Sequence, residues 1–202
     1  MSLRGVESRQ SMRIPGLVAV GLLFVWAACA TTDTESSAKV HATGPDQRFT
    51  MVGSGFQTTA LITPDGAQGP QVNLGRYEGG TAIRGTANGR TLQLKVDPNS
   101  GTATGIWGSG PITINLEPGA PNELKVQGLI AGRPCSFTAT REQINGTIGF
   151  CSYELGRQGD TYVGSRSCAG GISQVTVQFP STILTWKPIN IAVLMALLMS
   201  TP

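Results

Sequence analysis

The sequence has little charge and almost no histidine, and both shortages exclude common kinds of site. Charged residues make up 13% of the 202 residues, against roughly 25% in typical soluble domains. His41 is the single histidine, and it lies in a polar stretch before the first predicted strand, where we interpret it as a solvated linker residue. The predicted folded part therefore lacks the imidazole that Ser-His-Asp or Cys-His catalysis and histidine-ligated metal sites usually require.

Clustered metal ligands and paired acids are missing as well. No two of the four cysteines are spaced as Cys-x-x-Cys, so a zinc or redox site has little support. The carboxylates are isolated and lie mostly in predicted turns, so nothing selects two of them for glycoside hydrolysis or several for calcium. The candidates are Glu78, Asp97, Glu117, Glu123, Glu142, Glu154 and Asp160. We expect no catalytic, cofactor or metal site, and we predict that the protein is not an enzyme.

The formal net charge of +3 comes largely from the first residues of the chain. Arg4, Arg9 and Arg13, together with Glu7, precede Cys29, which leaves 12 basic and 11 acidic residues from there on. That remainder has no basic stripe, which is the electrostatic footprint of nucleic-acid binding. We therefore expect no nucleic-acid partner.

The first apolar run is too short for a typical transmembrane helix. Residues 17–28, LVAVGLLFVWAA, form a twelve-residue run after a basic start. This length and this order are typical of an export signal. We predict a signal peptide over residues 1–28. Met12 is an alternative start, which would leave a compact basic segment before the apolar run.

The sequence Trp26-Ala27-Ala28-Cys29 at the end of this run resembles the lipobox of bacterial lipoproteins. Ala27, Ala28 and Cys29 match the pattern, whereas Trp26 stands where an aliphatic residue is usual. The resemblance implies that Cys29 is the lipidated first residue and anchors the protein to a membrane of the cell envelope. Ala30 after the cysteine implies the outer-membrane sorting class of enteric bacteria, facing periplasm or exterior. The alternative is an ordinary signal peptide cut after Ala30, because Ala28-Cys29-Ala30 also fits the small-x-small rule.

The rest of the chain divides into a tether and an all-β domain. Residues 29–47 are polar and rich in serine and threonine, which predicts a flexible tether. Residues 48–180 alternate apolar and polar side chains between turn signals roughly every 10 to 12 residues, which favours an antiparallel meander forming a small barrel or sandwich. Residues 64–70 and 154–160 are predicted to be loops. We find no period exact enough to call a sequence repeat.

The clearest strand pair is predicted over residues 81–96, TAIRGTANGRTLQLKV. Asn88-Gly89 suits a type I′ turn, which needs positive φ at both central residues. Folding the chain at that turn pairs Gly85 with Leu92 on one apolar face. Threonine, arginine, glutamine and lysine side chains fall mainly on the opposite face, as expected for an antiparallel sheet with one wet side.

Three cysteines follow the leader, and export to an oxidising compartment favours one disulfide among them. They are Cys135, Cys151 and Cys168. Matching the apolar faces of two predicted strands aligns Phe137 with Ile148 and Cys135 with Phe150, and this register points Cys151 to the other face. A one-residue slip reverses that conclusion. The pairing stays open, with a preference for Cys151–Cys168, which would clamp the predicted loop at residues 154–160; the third thiol is buried or reaches a second chain.

Residues 181–202 form an apolar tail in which residues 189–199, INIAVLMALLM, predict a helix. Pro188 suits the first helical position. The helix has no polar face, and at about 17 Å it is short of the roughly 30 Å hydrocarbon core of a bilayer. We expect it to be buried against the sheet or to cap an open barrel end. The alternative is an apolar surface for a partner or a membrane.

The function that these features favour is non-enzymatic. We predict an exported, lipid-anchored envelope protein that binds or scaffolds, with a possible protein partner. The alternative is a carrier of a small apolar ligand inside a barrel, in which Tyr77, Trp107 or Trp186 could stack on the ligand, although core packing is their simpler use. A hydrolase with two facing carboxylates is the least favoured hypothesis.

Overall fold

The computed structural model describes residues 47–200, in which fourteen antiparallel strands close into a barrel. Each strand pairs with its neighbours in sequence, and β1 pairs with β14 to close the ring. The strands are β1 (Arg48–Gly53), β2 (Phe56–Thr63), β3 (Gly66–Gly69), β4 (Val72–Tyr77), β5 (Ala82–Ala87), β6 (Arg90–Asp97), β7 (Thr102–Trp107), β8 (Gly110–Glu117), β9 (Leu124–Ile130), β10 (Arg133–Ala139), β11 (Gln143–Ile148), β12 (Cys151–Gln158), β13 (Thr161–Cys168) and β14 (Gly171–Gln178). A helix, α1 (Pro188–Met199), follows a 3₁₀ turn at Ser181–Thr185. The all-β prediction is confirmed, and of the two predicted architectures the structure has the barrel.

The meander places successive turns at opposite ends of the barrel. We call the end where β1 begins and β14 finishes the lower end, and the opposite end the upper end. Turns that follow odd-numbered strands lie at the upper end, and turns that follow even-numbered strands lie at the lower end. The chain that precedes β1 therefore joins the barrel at its lower end.

The predicted hairpin at residues 81–96 is confirmed as β5 and β6. Gly85 pairs with Leu92, as the apolar pattern requires. Asn88 and Gly89 occupy the turn with φ angles of 49° and 70°. Both angles are positive, as a type I′ turn demands, so local turn chemistry sets this register.

Two strands lie where the sequence predicts loops. β3 occupies part of residues 64–70, and β12 covers most of residues 154–160. The inward residues of β12, Tyr153 and Leu155, are buried. The loop prediction is wrong because these two ranges hold a single large apolar residue, Leu155, which is too few to show the alternation of a strand.

The pairing of β10 with β11 differs by two residues from the predicted register. Cys135 pairs with Ile148, not with Phe150. Phe150 lies instead in the two-residue turn between β11 and β12, where it is exposed. This short turn pairs Cys151 with Ile148 and directs both into the interior. The prediction that Cys151 points to the other face is therefore wrong.

The barrel is apolar inside and polar on its outer wall. On β6 the buried residues Leu92, Leu94 and Val96 alternate with the exposed residues Gln93 and Lys95. This is the period of two that an antiparallel strand gives. Membrane-spanning barrels have the reverse arrangement, with an apolar band outside. The outer wall of this barrel instead presents hydrogen-bonding side chains.

A glycine recurs once in each of five odd-numbered strands, at an inward position between large buried side chains. These glycines are Gly85, Gly105, Gly128, Gly146 and Gly164. Gly146, for example, pairs with Phe137 on one side and Tyr153 on the other. Large and small inward residues thus alternate around the wall, which lets a curved sheet bring neighbouring strands close. The sequence conceals this structural repeat because the turns differ in length.

The helix α1 lies inside the barrel. Ten of its twelve residues are buried, and they cover every side of the helix. Nine of them are apolar, and the tenth is Asn190. It packs closest against β6 to β9. An eight-stranded barrel is just filled by its own side chains, so fourteen strands leave a wider lumen that an apolar helix can fill. The burial prediction is confirmed, and the alternative of an exposed apolar surface is wrong.

Hydrogen bonds fix the helix at both ends of the lumen. At the lower end the side-chain amide of Asn190 donates from Nδ2 to the carbonyl oxygen of Gly80 at 3.0 Å. At the upper end the hydroxyl of Tyr153 donates to the carbonyl oxygen of Met199. The helix therefore runs from the lower end to the upper end, about 18 Å for twelve residues. Within residues 47–200, no helix is long and apolar enough to cross a membrane.

Candidate functional site

Because α1 occupies the interior, the surfaces open to a ligand lie on the outer wall, where two shallow grooves cross the glycine-bearing strands. The first groove, of about 460 Å³, crosses β5 to β7. The second, of about 530 Å³, lies on β11 and β12. We call them the cationic groove and the hydroxyl groove. Each includes the backbone of one of the inward glycines, Gly105 or Gly146.

The cationic groove combines positive charge with hydrogen-bonding side chains. It is lined by Glu78, Thr81, Ala82, Arg84, Gln93, Leu94, Lys95, Thr104, Gly105 and Ile106. The guanidinium of Arg84 lies 3.7 Å from Glu78 and 5.6 Å from the ring centre of Tyr77. Since Arg84 and Glu78 are both exposed, this ion pair contributes little stability. Its arginine stays available to an anionic or hydrogen-bonding partner.

The hydroxyl groove is almost uncharged. Asn145, Thr147, Ser152 and Glu154 surround the backbone of Gly146. The hydroxyl oxygens of Thr147 and Ser152 lie 3.2 Å apart, so they share one hydrogen bond. Glu154 is the single carboxylate of this groove. One carboxylate can accept hydrogen bonds from a ligand, but glycoside hydrolysis as usually built needs two.

The three aromatic residues considered for stacking on a ligand, Tyr77, Trp107 and Trp186, lie in different parts of the barrel. Trp107 is buried in the wall and donates from its indole nitrogen to the carbonyl oxygen of Ala87 at 2.8 Å. Trp186 is buried at the lower end, where its indole nitrogen donates to the carbonyl oxygen of Thr63 at 3.1 Å. Tyr77 is half exposed beside the cationic groove. Only Tyr77 of these three is placed to stack on a ligand outside the barrel.

The carboxylates predicted as candidate acids are spread over the lower-end turns and the outer wall. Asp97 accepts hydrogen bonds from the backbone amides of Asn99 and Ser100. Hydrogen bonding from Ser100 and these amides lowers the pKa of Asp97. Glu117 pairs with Lys125 at 2.7 Å, and this contact raises the pKa of the lysine. Within residues 47–200, no three side chains of the metal-binding types come together.

Charged and phenolic groups buried near the helix ends have structural partners. Arg166 donates from Nε to the hydroxyl of Tyr153 at 3.1 Å. Burial raises the pKa of Tyr153, and the nearby charge of Arg166 opposes that shift. At the lower end Arg76 lies over the ring of Trp186 at 4.4 Å. Burial lowers the pKa of Arg76, against the effect of Asp65. These contacts hold the helix ends and leave the outer grooves as the candidate sites.

The preferred cysteine pairing is confirmed. Cys151 and Cys168 form a disulfide between β12 and β13, with Cα atoms 4.2 Å apart. The bond lies at the upper end of this hairpin, whereas residues 159–160 form its turn at the lower end. It therefore joins the open end of the hairpin. The expectation that this disulfide clamps a loop at residues 154–160 is wrong. Cys135 is the free cysteine among the described residues, and it is buried.

We expect the Cys135 thiol to resist alkylation in the folded protein. Burial raises the pKa of this thiol from 9.0 to about 12, so the reactive thiolate is almost absent at pH 8. The unfolded chain loses the proton more easily, so the associated stability is present below about pH 9 and is lost as pH rises towards 12. Iodoacetamide labelling with and without guanidinium, and unfolding curves of Cys135→Ala at pH 8 to 11, test both effects. Rapid labelling of the native protein at pH 8 would contradict this placement of the thiol.

Two residues singled out by the sequence, Cys29 and His41, lie outside the described residues. The lipidation of Cys29 stays a prediction. The sequence analysis missed the groove residues Arg84, Gln93 and Lys95 as a set. A signal was present, because the confirmed hairpin places all three on its outward face.

The fold and the grooves define a class of protein, a closed antiparallel barrel with an internal helix and polar grooves on its outer wall. No protein-family model, no curated protein and no solved structure matches the chain. A β-barrel is compatible with a ligand-binding role.

Proposed function

We propose that this protein is an exported, lipid-anchored envelope protein that binds or scaffolds a partner through its outer wall and catalyses no reaction. The observation that carries the proposal is the position of α1. Since the helix and the inward side chains occupy the interior, a partner would bind on the outer wall of the barrel. Of the two outer grooves, the cationic groove has more side chains that can bind a partner, namely Arg84, Lys95 and the half-exposed ring of Tyr77 beside it.

The position of the tether supports an anchored role. The chain enters the barrel at its lower end, directly before Arg48. Residues 30–47 could span up to roughly 60 Å when extended. Such a tether would let the barrel reach partners at some distance from a membrane that holds an acylated Cys29. The lipobox-like sequence before Cys29 supports the anchor itself.

Mass spectrometry of the full-length product, extracted in mild detergent from its own host, tests the anchor. We expect a mature chain that begins at Cys29 and carries a diacyl or triacyl mass, with one intact disulfide. A product that begins at Thr31 without an acyl mass would contradict the anchor. A small molecule retained under native conditions would favour the carrier alternative.

Site-specific photo-crosslinking in the same host tests the binding surface. A crosslinker replaces Gln93 in the cationic groove, and a matched one replaces Gln158, an exposed residue on the distant β12. We expect a discrete adduct from position 93 that disappears when Arg84→Ser is added, and no adduct from position 158. Equal adducts at both positions, or none at position 93, would contradict binding through this groove.

A further inference from the structure

The carboxylates of the barrel are concentrated at one of its two ends. Every turn at the lower end contains or adjoins a carboxylate. These residues are Asp65, Glu78, Asp97, Glu117, Glu123, Glu142 and Asp160. The turns at the upper end, over residues 54–55, 70–71, 88–89, 108–109, 131–132, 149–150 and 169–170, contain no charged residue. Within residues 47–200 the remaining carboxylate, Glu154, lies midway along β12.

Exposed apolar side chains are concentrated at the upper end. Seven large apolar residues are exposed among those described, and five of them lie in an upper-end turn or within two residues of one. They are Val52, Ile106, Leu129, Phe150 and Ile172. They belong to five turns that follow one another around the ring, from the turn after β7 to the turn after β1. We call this set the upper rim.

Two arginines lie at the upper end, where no carboxylate of residues 47–200 is found. Arg90 is exposed at the start of β6, and Arg133 lies at the start of β10 with its guanidinium over the ring of Phe150. An arginine over an aromatic ring keeps its donors free at the ring edge for an anionic oxygen. The upper end is therefore both apolar and cationic.

We propose that the upper rim docks onto an anionic lipid surface. Apolar side chains that insert shallowly, with arginines that contact phosphate groups, are the combination that binds peripheral proteins to such a surface. The side chains form an arc on successive turns, which a flat bilayer can meet together. A second copy of the chain is a poorer occupant, because two upper ends repel and the lower end carries nearly as many cations as carboxylates.

This surface is independent of the proposed anchor. All rim residues lie between positions 52 and 172, and the tether joins the opposite end of the barrel. A test can therefore use the chain from Thr31 onward, which keeps the whole barrel and lacks both the leader and Cys29. Failure of this test leaves the acylation of Cys29 to be decided by its own measurement.

Vesicle co-sedimentation tests the proposal. We expect the chain to partition at least tenfold more strongly onto vesicles of equal phosphatidylcholine and phosphatidylglycerol than onto phosphatidylcholine alone, and less strongly as salt rises. Phe150→Ser and Ile172→Ser should each lower binding about tenfold. Arg90→Ser and Arg133→Ser should each lower it about fivefold, on the anionic vesicles only.

The lower end supplies matched controls. Leu184 is 76% exposed there, against 77% for Ile172 at the upper end, and Arg141 is exposed in a lower-end turn. Leu184→Ser and Arg141→Ser should leave vesicle binding unchanged. Equal binding to both vesicle types, or equal losses from Leu184→Ser and Ile172→Ser, would overturn the proposal. Self-association in solution that Ile172→Ser abolishes would also overturn it and assign the rim to contacts between copies.

Discussion

Replacing Leu194 with aspartate is expected to abolish cooperative folding of the barrel. Leu194 lies in the middle of α1 and is 1% exposed, so the carboxylate would enter an apolar lumen without a known partner. Burying such a group costs on the order of 5 kcal/mol, comparable with the 5 to 15 kcal/mol that stabilises a typical domain. Near-ultraviolet circular dichroism and thermal unfolding measure the effect. The expected result is a flat spectrum and no cooperative transition.

Two further substitutions separate the role of the lumen from general damage to the tail. Leu194→Ala keeps the site apolar and should cost about 2 to 5 kcal/mol, mainly through the cavity that it leaves. Leu184→Asp changes an exposed leucine in the 3₁₀ turn before the helix and should alter stability by less than about 0.5 kcal/mol. If Leu194→Asp instead unfolded near the wild-type temperature, α1 could not be a core element.

The sequence predicted the helix but not its place, and the reason is physical. A helix of twelve residues without a polar face must be buried on all sides, and that much follows from INIAVLMALLM alone. Which surface covers it depends on how many strands close the ring. β3 has four residues, and the part of β12 that was predicted as a loop has Leu155 as its only large apolar residue, so two strands were missed. With fewer strands counted, a lumen wide enough for a helix could not be foreseen.

The candidate site was less predictable than the fold. The hairpin of β5 and β6 has a turn that sets its own register, so the shared outward face of Arg84, Gln93 and Lys95 follows from local sequence. The upper rim does not follow in this way. Ile172 and Phe150 are far apart in sequence, and each resembles the start or end of an ordinary apolar strand. They form one surface only in the closed ring, where the turns that follow odd-numbered strands all lie at the upper end.

Replacing Gly146 with alanine is expected to destabilise the barrel by about 3 kcal/mol or more. Gly146 has a φ of 132°, and a Cβ atom there would lie 2.3 Å from the carbonyl oxygen of Ser136 and 2.5 Å from the Cα atom of Phe137. Both are backbone atoms of the neighbouring strand β10, so relief requires the two strands to separate. Chemical denaturation of the purified protein measures the loss.

Gly156 on the adjacent strand β12 is the matched control for this substitution. It lies opposite Gln143 of β11, and a Cβ atom there would meet no atom within 4 Å. Gly156→Ala should therefore be neutral or should stabilise the protein by about 0.4 to 1 kcal/mol, because it restricts the unfolded chain. Similar losses at both positions would show that glycine content alone matters. A large loss at Gly146 with none at Gly156 would show that close approach of the strands depends on the inward glycines, and that a curved fourteen-stranded wall uses them to fit around its helix.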